Sequence, residues 1–256
     1  MHAPVPQPIE PELLLLAYRS GVFPMADNRD DPQVFWVEPR RRAILPLDGF
    51  HCSGSLARTL RRGRLRVSCN EAFDAVIAAC AEAAPDRAET WISGRIAASY
   101  RALHRLGHAH SVECWQGEKL VGGLYGVGFE RVFCGESMFS RVPDASKVAL
   151  AWLVAGLRRG GATLLDCQFM TAHLASLGAV EISQKRYVAL LREAQAGGGA
   201  GGAAGGGAAL GVGEGVAAGA GAALPAGFAA LPGDAAAAGF ASSPGNFIAQ
   251  SLTQTS

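Results

Sequence analysis

Val121-Gly-Gly-Leu-Tyr-Gly126, then Gly135-Glu-Ser-Met-Phe-Ser140, then Leu164-Leu-Asp-Cys-Gln168 beyond a predicted helix, is the stretch that decides how this chain reads. Each segment is an apolar run with polar residues where a packed core would not choose them. Side chains alternate along a strand, so Asp166 and Gln168 are expected on one face. A carboxylate beside an amide at the end of the buried run Thr163-Leu-Leu is costly unless paired or used. Alone, such a pair is read equally well as structure or as a site. Glu136 interrupts the neighbouring run in the same way and tips the reading toward a site.

Working outward, the strand-like part begins near His110. Ser111–Trp115 and Leu120–Val127 are joined by a Gln-Gly-Glu-Lys turn, and Arg131–Ser137 follows after Gly128. A helix is expected over Ala145–Arg159, stopped by Gly160-Gly161, then a strand at Thr163–Gln168, a short helix ending at Gly178 and a last helix near Gln184–Ala194. Upstream, a helix runs from near Glu10 to Ser20, with Pro11 in its first turn and Gly21 at its end. Ser55–Arg62 reads as a capped helix stopped by Gly63, followed by a strand at Leu65–Ser68. Asn70 is placed to cap a helix in which Phe73, Val76, Ile77 and Cys80 share one face, and Ser93 opens another that ends at Gly107. Strands, helix, strand, helix around a mixed sheet define an α+β layer architecture. The expected division is a smaller α+β N-terminal lobe over 9–69, a larger lobe over 70–194 and a tail over 195–256.

That tail is almost wholly Ala and Gly, with Glu214 and Asp234 its only charges. It offers little apolar area against a high ordering cost, so it reads as disordered. It also inflates the hydrophobic fraction of 49%, and its prolines and weakly apolar residues do not make a membrane span. No secretory leader is visible, because the Leu13–Leu16 run is short and lacks a basic flank. Six widely spaced cysteines without a C-x-x-C pair argue against a disulfide framework or a structural zinc site. The chain therefore reads as cytoplasmic. Net charge is only +1, yet Glu38–Arg66 holds eight arginines (40, 41, 42, 58, 61, 62, 64, 66) against Glu38 and Asp48. A solvated surface explains such a cluster as readily as a ligand does. The choice of Arg over Lys favours phosphate, whose oxygens match the guanidinium fork, and a local basic patch on a near-neutral protein suits an RNA partner.

Other chemistries fit less well. Gly126-x-Gly128 is followed by more strand rather than a helix, so it reads as a hairpin turn and not a phosphate loop. His104, His108 and His110 are split by Gly107 and lack the H-E-x-x-H carboxylate, so they read as capping or turn residues rather than metal ligands. Gly135-Glu-Ser-Met-Phe139 misses the last glycine of a nucleophile elbow. Met25, Met138, Phe139 and Met170 are read as core more readily than as pocket.

Taken together, Ala17-Tyr-x-x-Gly-x-Phe-Pro24, Trp36 with Pro39-Arg40, Thr90-Trp-Ile92, Tyr100-x-x-Leu-His104, Gly107-x-Ala-His-Ser-Val-Glu113, Leu120-Val-Gly-Gly-Leu-Tyr-Gly126, Gly135-Glu-Ser-Met-Phe-Ser140, Ala145-Ser-Lys147, Asp166-Cys-Gln168 and Ser176-Leu-Gly-Ala179 make the chain resemble the leucyl/phenylalanyl-tRNA–protein transferase family over Glu12–Arg192. The resemblance implies a GNAT-like acyltransferase fold in the C-terminal lobe. It implies transfer of Leu, Phe or, less well, Met from aminoacyl-tRNA to an N-terminal Arg or Lys, which in bacteria marks the acceptor for degradation through an N-degron. It places Asp166 and Gln168 in catalysis and Glu136 as a site carboxylate. It puts Leu124, Met138, Leu150, Leu153 and Leu157 in the aminoacyl pocket, and Trp91 with Met25 where the terminal adenosine stacks. Position 25 is often Trp in this family, Asp144 stands where Asn is frequent and Gln184 where Arg is frequent.

The residues themselves agree in part. Leu150, Leu153 and Leu157 form one stripe of a helix, and a pocket that discriminates by about 1–3 kcal/mol per methylene would accept Leu, Phe and Met together. Arg58, Arg61, Arg62 and Arg64 are the candidate tRNA contacts. An aminoacyl ester is already activated, so the expected reaction calls on no cofactor or metal, and the protein is expected to act as a monomer away from membranes. Two rival readings are an N-acyltransferase using acyl-CoA, disfavoured by the missing glycine-rich loop before a helix, and a non-catalytic RNA-binding module, which leaves positions 136, 166 and 168 unexplained.

Overall fold

In a computed structural model the described residues are 7–83, 89–196 and 223–253. The alternating runs singled out above become three antiparallel strands, β5 (Ala109–Gln116), β6 (Lys119–Phe129) and β7 (Val132–Ser140). Gly117, at φ +58°, forms the first turn with Glu118. The second turn falls at Glu130-Arg131 rather than at Gly126-x-Gly128, which lies inside β6. Gly126 serves a different purpose. The register shifts between Tyr125 and Gly126, and a Cβ at Gly126 would come within 2.3 Å of the Cys134 carbonyl oxygen. Only glycine lets the two strands approach this closely there.

The remaining strands are β1 (Phe23–Met25), β2 (Phe35–Val37), β3 (Arg41–Ile44), β4 (Arg66–Cys69), β8 (Leu164–Gln168) and β9 (Val180–Ser183). β1 and β2 form a small antiparallel sheet, while the main sheet has the order β4-β5-β6-β7-β8-β3-β9. Only the β7–β8 pairing is parallel, so the sheet is mixed, as expected of an α+β protein. β3 and β4 come from residues before 70, so the sheet runs across the expected lobe boundary at 69/70.

Helices cover both faces. α1 (Pro11–Arg19), α3 (Phe73–Cys80), α4 (Gly94–Arg105) and α7 (Gln184–Ala196) enclose one core with Tyr125, Val127, Cys134 and Leu164. α2 (Gly54–Arg62), α5 (Ala145–Arg159) and α6 (Ala172–Ser176) enclose the other with Val112, Leu124, Phe133 and Leu165. Neighbouring residues on each strand thus feed opposite cores, as the pleat requires. Ser93 caps α4 through Oγ to the Ile96 N–H, and Ser53 caps α2 in the same way. Asn70, expected to cap α3, does not do so. It sits at φ +62° and its Oδ1 accepts the Ser111 N–H at 3.0 Å, tying the chain to β5 instead.

The expectation of a disordered 195–256 is corrected at both ends of the described part. Gln195 and Ala196 complete α7, and residues 223–253 form α8 (Ala223–Ala237) and α9 (Pro244–Thr253). Residues 197–222 and 254–256 lie outside the described residues. Composition misled because small residues can be used for close approach. A Cβ at Gly227 would lie 2.3 Å from the Gly156 carbonyl oxygen, so α8 packs directly against the α5 backbone. The few large side chains, Leu224, Phe228, Leu231, Ile248 and Leu252, join the α5 core, with Phe228 5.6 Å from Trp152.

One ion pair sits inside this frame. Arg42 on β3 and Asp166 on β8 are 1% and 0% exposed, with Nε–Oδ1 at 2.8 Å and Nη2–Oδ2 at 2.5 Å. Arg42, part of the apparent surface cluster in sequence, is therefore a core residue, clamped between the rings of Phe23 and Tyr187 at 4.7 and 4.4 Å. Burial opposes its charge, but the hydrogen bonds and charge of Asp166 outweigh that and hold its pKa above the ordinary arginine value. Arg42→Met leaves an uncompensated buried carboxylate and is expected to lower stability by about 3–5 kcal/mol. Urea unfolding at neutral pH measures this. The double replacement Arg42→Met with Asp166→Leu should recover part of the loss, whereas equal loss in both variants would contradict this account of the pair.

Candidate active site

β7 and β8 pair only as far as Cys134↔Asp166. Beyond that point Gln168 turns into the left-handed region at φ +54°, and the two strands no longer hydrogen-bond. A cavity of about 430 Å³ opens where they separate. Leu124, Met138, Leu150, Leu153, Leu165 and Leu174 give it an apolar wall from the α5 side of the sheet. Glu136, Gln168 and Tyr125 line it from the other side, and Phe23, Met25, Trp91 and Phe169 add further aromatic and thioether surface.

Of the residues expected in a substrate site, Glu136, Leu124, Met138, Leu150, Leu153, Trp91 and Met25 all line this cavity, as does Gln168. Leu157 does not. It is buried in the core one turn beyond Leu153, where the helix has passed the cavity. Asp166 does not line it either. Its Oδ1 accepts from Arg42 Nε and from the Gln168 backbone N–H at 2.9 Å, while Oδ2 accepts from Arg42 Nη2 and from the Tyr187 hydroxyl at 3.0 Å. All its lone-pair directions are used. Asp166 thus fixes the backbone at Gln168, and the side chain of Gln168 reaches the cavity.

Gln168 Nε2 donates to Glu136 Oε1 at 3.3 Å, and the Tyr100 hydroxyl donates to Glu136 Oε2 at 2.7 Å. Tyr100 is in turn 2.5 Å from the hydroxyl of Tyr18. Since Tyr100 has one proton and gives it to the carboxylate, Tyr18 donates to Tyr100. Burial pushes the Glu136 pKa up to about 7, and the hydrogen bond from Tyr100 is the main influence holding it lower. Across the cavity, His173 on α6 has a buried Nε2 with no hydrogen-bond partner among the described residues, and burial followed by the charge of Lys147 lowers its pKa.

Sequence reasoning assigned no role to Tyr18, Tyr100, Tyr187 or His173, and it grouped Arg42 with the arginines read as surface or phosphate contacts. Tyr18 and Tyr100 stand inside quoted motifs, but nothing in local spacing joins α1 to α4. Arg42 was hidden among neighbouring arginines. An arginine directly before Ala43-Ile44-Leu45 in an apolar run was the available signal.

The four candidate arginines for RNA contact are all exposed. Arg58, Arg61 and Arg62 project from the face of α2 opposite its buried Leu56, Ala57 and Leu60, and Arg64 follows the Gly63 cap. Of their neighbours in the cluster, Arg41 pairs with Glu181 at 2.7 Å and Arg66 with Glu71 at 2.8 Å. Among the described residues no helix is long and apolar enough to cross a membrane.

Comparison with known proteins bears directly on this arrangement. The chain matches the family model "Leucyl/phenylalanyl-tRNA protein transferase" over residues 44–192 and its N-terminal domain over residues 8–40. A protein named leucyl/phenylalanyl-tRNA–protein transferase from Novosphingobium aromaticivorans is 64% identical over 261 aligned positions, covering 98% of each chain. Proteins of the same name from Rhizorhabdus wittichii and Zymomonas mobilis are 60% and 56% identical, over 72% and 73% of this chain and 74% and 69% of their own. Every cavity-lining residue falls within the matched ranges, and the chain belongs to the leucyl/phenylalanyl-tRNA–protein transferase family of aminoacyltransferases.

Proposed function

We propose that this protein moves Leu, Phe and, less well, Met from aminoacyl-tRNA onto the N-terminal Arg or Lys of acceptor proteins, so marking them for degradation through an N-degron in the cytoplasm. The supporting observation is the cavity at the β7–β8 opening, with an apolar wall on one side and Glu136 with Gln168 on the other. The aminoacyl side chain takes the apolar wall, whose leucines and Met138 tolerate differently shaped hydrocarbon groups. The terminal adenine stacks on Trp91 with Met25 beside it. Glu136 attracts the cationic N-terminus of the acceptor by charge-assisted hydrogen bonding. The arginines at 58, 61, 62 and 64 hold the tRNA backbone.

The chemistry asks little of the protein. The ester is activated before it arrives, and an α-amine has a pKa of roughly 7.7–8.0. Freeing its lone pair at pH 7 costs only about 1–1.4 kcal/mol, whereas orientation supplies about 7–11 kcal/mol and oxyanion stabilisation about 3–4 more. Gln168 is placed to hold the ester carbonyl or the amine, and Asp166 acts through the backbone by fixing where Gln168 stands.

Three outcomes test this reading. With labelled Phe-tRNA and peptides beginning with Arg, Lys or Ala, label should pass to the first two and not to the third. Label left on the RNA with every peptide would end the proposal. Gln168→Ala should lower kcat by about 100-fold or more, with tRNA affinity changed little. Equal losses in rate and in tRNA binding would remove Gln168 from the transfer step. Replacing Arg61, Arg62 and Arg64 together by Ala should weaken tRNA binding whatever its sequence and reduce the salt slope by about 2–3. An unchanged slope in a binding titration would leave these arginines as mere surface.

A further inference from the structure

Two carboxylates stand near the reaction centre, and they differ in what they can do. Asp166 is enclosed, has four donors on its two oxygens and does not reach the cavity. Glu136 forms part of the cavity wall and, among the described residues, takes donors from Tyr100, Gln168 and, acting on it from behind, Tyr18, none of them charged, so its face toward the cavity is left for an incoming group. We propose that Glu136 is the catalytic residue that accepts a proton from the acceptor's α-ammonium, with Tyr100 and Tyr18 as positioning residues that hold its carboxylate. This inference rests on the transfer reading above and adds a proton-transfer role to the carboxylate that binds the acceptor.

The balance of the step is simple. One of the three ammonium protons goes to Glu136, which frees the lone pair. The nitrogen attacks the ester carbon and a C–N bond forms. As the C–O bond to ribose breaks, a second proton goes to the departing oxygen, which leaves as a hydroxyl. The third stays on the new amide. Glu136 then returns its proton to water, so nothing is consumed beyond the two substrates.

Several features of the site serve this role. Glu136 lies on β7 two residues past Cys134, where pairing with β8 has ended, so its side chain meets the cavity rather than a neighbouring strand. Tyr100 from α4 and Tyr18 from α1 are both buried and form a chain leading to its Oε2. The titratable groups around it are these two phenols, Asp166 and Arg42 behind it on β8 and β3, Cys134 on its own strand, and Tyr125 and His173 on the cavity wall. Asp166 and Arg42 act on Glu136 in opposite senses and are already paired with each other. Burial is left as the main influence, and it brings the carboxyl to about 7, close to the amine it would serve.

Single-turnover transfer to an Arg-initiated peptide, followed from pH 6 to 8.5 with background ester hydrolysis subtracted, tests the proposal. Wild-type rates should rise with pH along a limb set jointly by Glu136 and the amine. In Glu136→Gln the limb should move up to the value of the amine alone, with a loss of about 100-fold at the acid end that shrinks as pH rises. Tyr100→Phe removes the hydrogen bond that lowers the Glu136 pKa, so its limb should also move to higher pH. A Glu136→Gln profile parallel to wild type would reduce the residue to a binding contact and overturn the proposal. So would a Tyr100→Phe enzyme that is slower but has an unmoved limb. Absence of transfer by the wild-type protein at every pH would instead sink the underlying transferase reading.

Discussion

The pairing of Arg42 with Asp166 is the constraint on which the rest of the site depends. It joins β3 to β8 at the place where β8 leaves β7, so it braces the sheet where a continuous ladder of backbone hydrogen bonds ends. A gap in a sheet exposes backbone groups and side chains that would otherwise pack. Here the loss is offset by a bidentate ion pair, the Tyr187 hydroxyl and the N–H of Gln168, all gathered on one carboxylate. Buried ion pairs seldom add net stability over well-packed hydrocarbon. What this one supplies is position: it sets the backbone turn that presents Gln168 to the cavity.

The separation of the strands also explains how one cavity can be apolar and polar at once. Alternation along β7 and β8 sends Phe133 and Leu165 to the α5 core, and Cys134 and Asp166 to the other. While the strands stay paired, these two environments are divided by the sheet. Once they part, a cavity can draw Leu150 and Leu153 from one core and Glu136 from the other. An aminoacyl ester has the same two-sided character, with a hydrocarbon side chain on one side of the reacting carbon and polar groups on the other. The fold makes such a site by stopping a strand pairing early, with no need for a long loop.

The sequence carried much of this, unevenly. Helix α5 was read at its observed bounds, because a long apolar period ends at two glycines. The three strands of the meander were found within a few residues. Glu136, Gln168, Leu150 and Leu153 were legible because polar residues in strands, and a leucine stripe on a helix, are local signals, whereas Leu124, Met138, Trp91 and Met25 entered through the family resemblance. β3 is expected only as one of several short strands within residues 30–50, and β9 was missed: the pairing of β3 with β8 and with β9 spans more than a hundred residues, and short strands with mixed burial have no clear period. The same distance hid Arg42, Tyr18 and Tyr100, whose meaning comes from partners on other elements. The C-terminal helices escaped for another reason. Ala and Gly were counted as lacking anything to bury, whereas at Gly227 and Gly156 the absent side chains are what lets two helices touch.

On the proposed reading, differences in the surroundings of the two carboxylates divide the labour between them. Asp166 keeps a fixed partner of opposite charge, and that pairing is the brace that holds the site. Glu136 has only neutral donors in direct contact, and burial leaves its charge nearly balanced against its neutral form. A group in that condition can gain or lose a proton at little cost. A reaction that needs geometry above all, and only a modest proton acceptor, is served by keeping these duties on separate residues. The carboxylate that determines shape stays paired and out of reach of the cavity, and the one proposed to meet the substrate lies on the cavity wall.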